Sequence, residues 1–297
     1  MDLRQLRYFV AIAERGSFSA AAATLHVAQS ALSRHMRILE EQLGGELFDR
    51  TSRGVAVSES GQILLHRARF ILAQVEDSRA EVLAHNGELR GTVRLAAPSS
   101  LSQLLYAPLA NHFLERYPKV ELQLSEGTTR NVLDRLQDGT IDAGIVTQPP
   151  SNKHMEFEFL VKEPIALVGR VGDPLLKKTT ISPHLLKTVP LMMAPGLIPI
   201  LGDWSRNLVP VVQVDSTIPM KSLVLSGKGY AVMPMSSIQA DLQAGKIAGS
   251  LLKGLSMTRM TAVHRGRPVS RATREVIRQL RDEVALMVGE GKITSVR

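Results

Sequence analysis

Residues 18 to 50, FSAAAATLHVAQSALSRHMRILEEQLGGELFDR, set two amphipathic helical patterns close together, and no other stretch limits the possible folds so tightly. Ala20 to Leu25 is a short, Ala-rich helix whose small side chains let another helix approach. After a break at His26 and Val27 a second helix runs from about Gln29 to Leu43. Its apolar residues Leu32, Met36, Leu39 and Leu43 lie on one face of a 3.6-residue period. The opposite face carries Ser30, Ser33, Arg34 and Arg37, side chains that hydrogen-bond phosphates and base edges.

The flanks complete a small domain. Leu3, Leu6, Phe9, Val10 and Ala13 predict a first helix over residues 3 to 14 that ends at Gly16, and Ser17 and Ser19 can cap the Ala-rich helix after it. Gly44 and Gly45 stop the third helix, and Leu47 to Val57 reads as two short strands around Thr51-Ser52-Arg53-Gly54. That is a wing, with Arg50 and Arg53 at its tip. Ser58 is a good N-cap for the next helix, which has no Gly or Pro between Gln62 and Asn86. Within it Leu65, Ala68, Leu72, Val75, Arg79 and Val82 alternate at spacings of three and four, a short heptad seam that calls for a partner chain. A dimer would bring a second DNA half-site.

From Gly91 the pattern changes to alternating β runs and helical runs: TVRLAA, VELQLSEG, IDAGIV, PIALVGRV, VPLMMA, VPVVQV, YAVMP and MTAVH, with a last helix from about Arg271 to Val288. This predicts an α/β fold with a mainly parallel sheet, long enough for two lobes. The strand ending in Pro98-Ser99-Ser100 leads directly into a helix. A helix N-terminus with hydroxyls at its mouth suits a carboxylate. Thr128 and Thr129 repeat that arrangement, and Thr147 follows IDAGIV. Read otherwise, these hydroxyls are plain helix caps.

Charge locates no simple nucleic-acid footprint. The net charge is +8, yet residues 1 to 90 hold 11 Arg, no Lys and 11 acidic residues, so the whole excess lies beyond them. Eight basic residues between Lys253 and Arg281 face Glu275 alone, either as a solvated face or as a surface steering an anion or nucleic acid. The chain has no Cys, which excludes disulfides, thiolate metal sites and thiol redox sensing and fits a reducing cytosol. The N-terminus lacks a secretory signal, and no apolar run approaches a membrane span. Catalysis has little support: the eight His include no two at zinc-site spacing, Ser99 lacks a G-x-S-x-G turn, and Gly227-Lys228-Gly229 lacks the rest of a phosphate loop. The reading is therefore no enzyme, no cofactor and no metal.

The whole chain resembles the LysR-type transcriptional regulators. The residues that carry the likeness are LRYFVAIAERGSFSAAAATLHVAQSALSRHMRILEEQLGGELFDR, then RGTVRLA, PLANHFLERYPKVEL, LQDGTIDAGIV and VLSGKGYAVMP, in that order. The resemblance implies a winged helix-turn-helix over 1–58, a linker helix over 59–88, and a two-lobed α/β effector domain over 89–297 similar to periplasmic binding proteins. Lobe I would take about 91–163 and 268–297, and lobe II about 164–267. It implies a cytoplasmic homodimer or homotetramer that binds promoter or operator double-stranded DNA, responds to a small organic anion and works with RNA polymerase, without a membrane partner. By family position Gln29, Ser30, Ser33, Arg34 and Arg37 would face the major groove, and Arg50 and Arg53 phosphate or the minor groove. Ser30 stands where the family most often has Pro, and as a good cap it should alter contacts without losing the motif. Ser99, Ser100, Thr128 and Thr147 in one lobe and Pro195, Gly196 and Leu197 in the other would meet the effector, with His264 a weaker candidate. The other reading is a ligand-independent DNA-binding protein with a vestigial effector domain.

Overall fold

The computed structural model describes residues 1–51, 54–83, 88–149 and 151–296, without the side chains of 50, 51, 77 and 81. The chain forms two compact units, Met1–Gly91 with Gln137–Thr140, and Thr92–Leu136 with Ile141–Arg297.

The first unit holds α1 (Leu3–Arg15), α2 (Phe18–Leu25), α3 (Gln29–Leu43), the hairpin β1 (Phe48–Thr51) and β2 (Gly54–Val57), and α4 (Glu59–Leu83). Local chemistry sets the boundaries. Asp2 accepts from the Gln5 backbone N–H at 2.8 Å while the Gln5 side chain accepts from the Asp2 N–H at 2.9 Å, a reciprocal cap. That bond from Gln5 holds the Asp2 carboxyl below its ordinary range. Gly16 leaves α1 with φ 62°, a left-handed conformation that only Gly adopts without strain. Ser17 caps α2 through the Ala20 N–H, and Ser58 accepts from the Gly61 N–H at the start of α4. Ser30 does not act as a cap. Ala28 occupies the N-cap of α3 with no side-chain bond, and Ser30 is the second residue of the helix proper.

Leu6, Phe9 and Ile12 of α1, Ala21 and Ala22 of α2, and Leu32, Met36 and Leu39 of α3 form one core that also takes in Phe48 of the hairpin. Phe9 and Phe18 pack on Phe48 with ring centroids 5.2 and 5.7 Å apart. The same core claims the beginning of the expected heptad seam, since Leu65 and Ala68 are buried in it. Two ion pairs at 3.1 Å, Arg7 with Glu76 and Arg69 with Glu14, fasten α4 to α1. Only the far end of the seam, with Val82 76% exposed, stands clear of this core.

The second unit is built on one nine-stranded sheet ordered β4-β3-β5-β11-β6-β10-β8-β9, with β7 beside β11. Its strands are β3 (Gly91–Ala97), β4 (Val120–Glu126), β5 (Ala143–Thr147), β6 (Met155–Gly169), β7 (Thr180–Ile181), β8 (Leu191–Met193), β9 (Val212–Gln213), β10 (Tyr230–Pro234) and β11 (Ala248–His264). Helices α5 (Ser99–Arg116), α6 (Thr129–Asp138), α7 (Thr217–Leu225), α8 (Met235–Gln243) and α9 (Arg271–Gly289) pack around it. The sheet is mixed where a mainly parallel one was expected. Strands β3 and β5 are parallel, as are β8, β9 and β10, but these sets are separated by β6 and β11, which run antiparallel to each other over their length.

These two strands serve both lobes. Residues 155–164 of β6 pair with 256–264 of β11 beside β5, and residues 166–169 pair with 248–251 beside β10. The register shifts between Leu251 and Ser256, where Gly254 takes φ 74°. Arg259 to Ala262 pair with β5, so from Arg259 onward β11 runs beside the strands of the first half of the sheet. Lobe II carries a core on each face of its sheet, one around Ile165, Leu191 and Val232 and the other around Val168, Met220 and Ala231. In lobe I, Val132 and Leu136 cover one face, while Leu105 and Leu109 of α5 and Val276 and Leu280 of α9 are buried.

Candidate nucleic-acid interface and interlobe site

Burying Leu32, Met36 and Leu39 turns the other side of α3 outward. Gln29, Ser30, Arg34 and Arg37 are exposed and Ser33 is half-buried. Gln29 Oε1 accepts from Ser19 Oγ at 3.1 Å, which ties the start of α3 to α2. Among the described residues Arg34 and Arg37 have neither a hydrogen bond nor an ion pair. Two guanidinium forks thus stand on one helix face with their donors free for a planar acceptor such as a guanine edge or a phosphate. Arg53 and the side chain of Arg50 lie outside the described residues.

The second site lies where the lobes meet. Helix α5 begins after Pro98, which gives no side-chain cap, and neither Ser99 nor Ser100 is spent on capping. Ser99 Oγ lies 3.0 Å from Thr217 Oγ1 and accepts the Thr217 N–H at 3.3 Å, joining the first turn of α5 in lobe I to that of α7 in lobe II. Arg259 on β11 donates to three partners: Nε to Glu163 Oε1 at 2.7 Å, Nη1 to Thr147 Oγ1 at 2.5 Å and Nη2 to Ser100 Oγ at 3.0 Å. The second carboxylate oxygen of Glu163 accepts the Ser236 N–H at 2.8 Å, at the start of α8. Glu163 is 0% and Arg259 3% exposed, so this is an ion pair withdrawn from water. Behind it Ser102 Oγ donates to Glu126 at 2.5 Å, and the buried Tyr106 hydroxyl, bonded to the Ser125 carbonyl, is pushed up by burial and by Glu126.

The expected effector residues separate into groups. Ser99, Ser100 and Thr147 converge on the lobe junction. Thr128 is exposed and caps α6 through the Asn131 N–H at 3.3 Å; it is Thr129 that reaches toward Thr147, taking its N–H at 2.9 Å. Pro195 and Gly196 form an exposed turn after β8, while Leu197 points into the lobe II core. His264 belongs to the other end of the sheet: β11 is level with Thr147 at Arg259, and His264 lies five residues further, about 16 Å along the strand. There its ring stacks on His154 and accepts the Gly266 N–H.

Thr217, Glu163 and Ser236 were not among the residues singled out, and Arg259 was counted only among the eight basic residues read as a solvated or steering surface, whereas it is buried and paired with Glu163. A signal for two of them was present. Glu163 within FLVKEPIALVG and Arg259 within SMTRMTAVH are charges inside otherwise apolar β runs, and such charges are buried only when paired.

A winged helix-turn-helix in one unit and a two-lobed α/β domain in the other define a DNA-binding transcriptional regulator with an effector-binding domain. Comparison gives the family. The family described as bacterial regulatory helix-turn-helix protein, lysR family, matches residues 3–62, and the LysR substrate binding domain matches residues 86–285. The chain is 34% identical over 254 residues to the uncharacterized HTH-type transcriptional regulator YnfL of Escherichia coli K12, covering 82% of this chain and 85% of YnfL. It is 29% identical over 264 residues to the RuBisCO operon transcriptional regulator of Acidithiobacillus ferrooxidans, covering 86% and 85% of the two chains. Among solved structures, a full-length OxyR variant from Pseudomonas aeruginosa superimposes with a TM-score of 0.76 at 24% identity, over 100% of this chain and 99% of that one. The chain belongs to the LysR family of bacterial transcriptional regulators. These relatives are regulators, not enzymes, and among the described residues no helix is long and apolar enough to cross a membrane.

Proposed function

We propose that this regulator reads an operator through the exposed face of α3 and that a small organic anion, a carboxylate or an aromatic acid, controls that reading from the junction between its lobes. Gln29, Ser30, Ser33, Arg34 and Arg37 take the base-contacting role, with Arg50 and Arg53 on the wing. The full-length regulator CbnR, which shares this fold with a TM-score of 0.66 at 22% identity over 96% of this chain, is known in complex with its target DNA. The protein acts in the cytoplasm as a homodimer or homotetramer, together with RNA polymerase, and the free end of α4 near Val82 is the surface offered to a second copy.

The observation that carries the effector reading is the gathering of lobe I hydroxyls at the lobe junction, where Ser99 meets Thr217 of lobe II and its neighbour Ser100 shares Arg259 with Thr147. Hydroxyls at and beside a helix start, those of Ser99 and Thr147 half-buried and those of Ser100 and Thr217 buried, suit a ligand with several acceptor oxygens. The competing reading is a DNA-binding protein that needs no ligand, in which the Ser99–Thr217 bond serves only to join the lobes. A thermal-shift screen of small carboxylates separates the two: a rise in Tm with one of them supports the effector, and a flat response across the screen supports the ligand-independent protein.

A further inference from the structure

We propose that the end of lobe II remote from the lobe junction, carrying Arg170, Lys177, Lys178, Lys228 and Lys246, is a second DNA contact, one that holds the phosphates of duplex DNA without regard to sequence. It is independent of the effector reading and of the role given to α3.

The free positive charge is not where the basic run of the sequence suggests. Of the eight basic residues between Lys253 and Arg281, Arg259, Arg265, Arg278 and Arg281 pair with Glu163, Glu156, Glu275 and Glu158. Arg267 and Arg274 bond to the carbonyls of Leu136 and Val269. Most of that run is engaged within the protein. Residues 164 to 258, by contrast, hold nine Lys and Arg against Asp173, Asp203, Asp215 and Asp241, a net +5 of the chain's +8.

Sheet geometry gathers five of those nine at one end. Strand β6 passes the junction at Glu163 and ends at Gly169, six residues or about 20 Å further on. Arg170 follows directly, and its Cδ would lie 3.6 Å from a Cβ placed on Gly227, the residue before Lys228. Gly169 pairs with Ala248, which sets Lys246, just before the start of β11, beside the end of β6. Ser250 Oγ donates to the Lys178 carbonyl at 2.5 Å and brings Lys177 and Lys178 to the same end. All five are exposed, and among the described residues none of their side chains has a hydrogen bond or an ion pair. The acids nearby are already engaged. Asp173 accepts from the Leu175 N–H and the Tyr230 hydroxyl, and Asp241 pairs with Lys221 at 2.7 Å.

Like charges crowded at one end repel, and an anion from outside relieves that repulsion. Four of the five are lysines, compact charges on flexible stems that meet phosphate without a fixed geometry. The sequence-independent part of DNA affinity comes from cations that displace counterions from the phosphates. Residues 1 to 90 of this DNA-binding regulator are neutral and offer no excess for that purpose, whereas lobe II does.

The test is fluorescence anisotropy of the full chain on a random-sequence duplex over a series of salt concentrations. Lys177→Gln, Lys178→Gln, Lys228→Gln and Lys246→Gln are combined in one variant. A control combines Lys153→Gln with Arg271→Gln, two exposed charges outside this end. Each lysine on a phosphate adds about one to the slope of log K against log salt, so the four-lysine variant should bind more weakly, with a slope shallower by about 3 to 4. The control should keep the wild-type slope. All six positions are exposed, so both variants should unfold at the wild-type midpoint. Random DNA holds no operator, and the outcome does not turn on Arg34. An unchanged slope in the four-lysine variant, or as large a loss per charge in the control, overturns the proposal; the first result would leave an acidic protein surface as the partner of this end.

Discussion

Arg34 and Arg259 carry the same side chain in opposite circumstances. Arg34 is exposed on α3 and has no hydrogen-bond or ion-pair partner among the described residues, whereas Arg259 is 3% exposed and bonded to Glu163, Thr147 and Ser100. A free fork in water costs the fold almost nothing and is ready for an acceptor from outside. A buried fork has to be satisfied within the protein, and its use lies in what it arranges around itself. The two candidate sites follow that division: the outward face of α3 presents unpaired charge, and the lobe junction is organised by paired charge.

The contrast breaks first at Glu163. Glu163→Ala leaves Arg259 buried and unpaired, and urea unfolding should show a loss of about 3 to 5 kcal/mol. Replacing both partners, Glu163→Met with Arg259→Met, should recover much of it, because the cost lies in the orphaned charge. Arg34→Ala in the same assay should stay within about 0.5 kcal/mol of wild type. A smaller effect is expected at the lobe-bridging hydroxyls. Ser99→Ala should cost about 1 kcal/mol, read from the unfolding midpoint at constant m-value.

Arg278 supplies the intermediate case of an arginine that is paired yet exposed. It holds Glu275 and Asp282 at 2.6 Å, with its side chain 54% exposed. The bond from Arg278, helped by the Tyr117 hydroxyl, holds the Glu275 carboxyl down at about 2 against an ordinary 4.5. A carboxyl depressed on folding adds stability above its unfolded value and loses it as pH falls through the folded one. The contribution should therefore be present above pH 4.5 and fade toward pH 2. Stability–pH curves of wild type and Glu275→Gln should differ above that window and converge within it, by less than the Ser99→Ala effect, since exposed pairs are weak.

The exposed site was the more legible of the two because its signal is local. The 3.6-residue period from Leu32 to Leu43 marked the limits of α3, Gln29–Leu43, and with them the face that holds Arg34 and Arg37. The heptad seam misled in its first half, because Leu65 and Ala68 fill the core under α1, and periodicity alone does not say which surface an apolar stripe covers. In the effector domain the α/β alternation was legible, but Pro164 and Gly254 disguised β6 and β11 as separate short pieces. The polar cluster depends on that hidden pair. Arg259 meets Ser100, Thr147 and Glu163 across 159, 112 and 96 residues, separations at which no spacing rule operates. The hydroxyls could be found as neighbours of helix starts, and Glu163 and Arg259 as charges within apolar runs; that they meet could not be read from the sequence.

The open face of α3 is where the functional claim is most exposed to failure. Neutral overall, with 11 Arg against 11 acidic residues in residues 1 to 90, that part of the chain has no general charge excess on which to hold DNA. The decisive measurement is a gel-shift titration, at one fixed salt concentration, of wild type and Arg34→Ala on DNA selected by the wild-type protein from a random pool. Arg34→Ala is expected to lose preference for the selected sequence, a discrimination of about 1 to 3 kcal/mol, while keeping the wild-type unfolding midpoint. Equal affinity of the two proteins for that DNA would contradict the role given to α3.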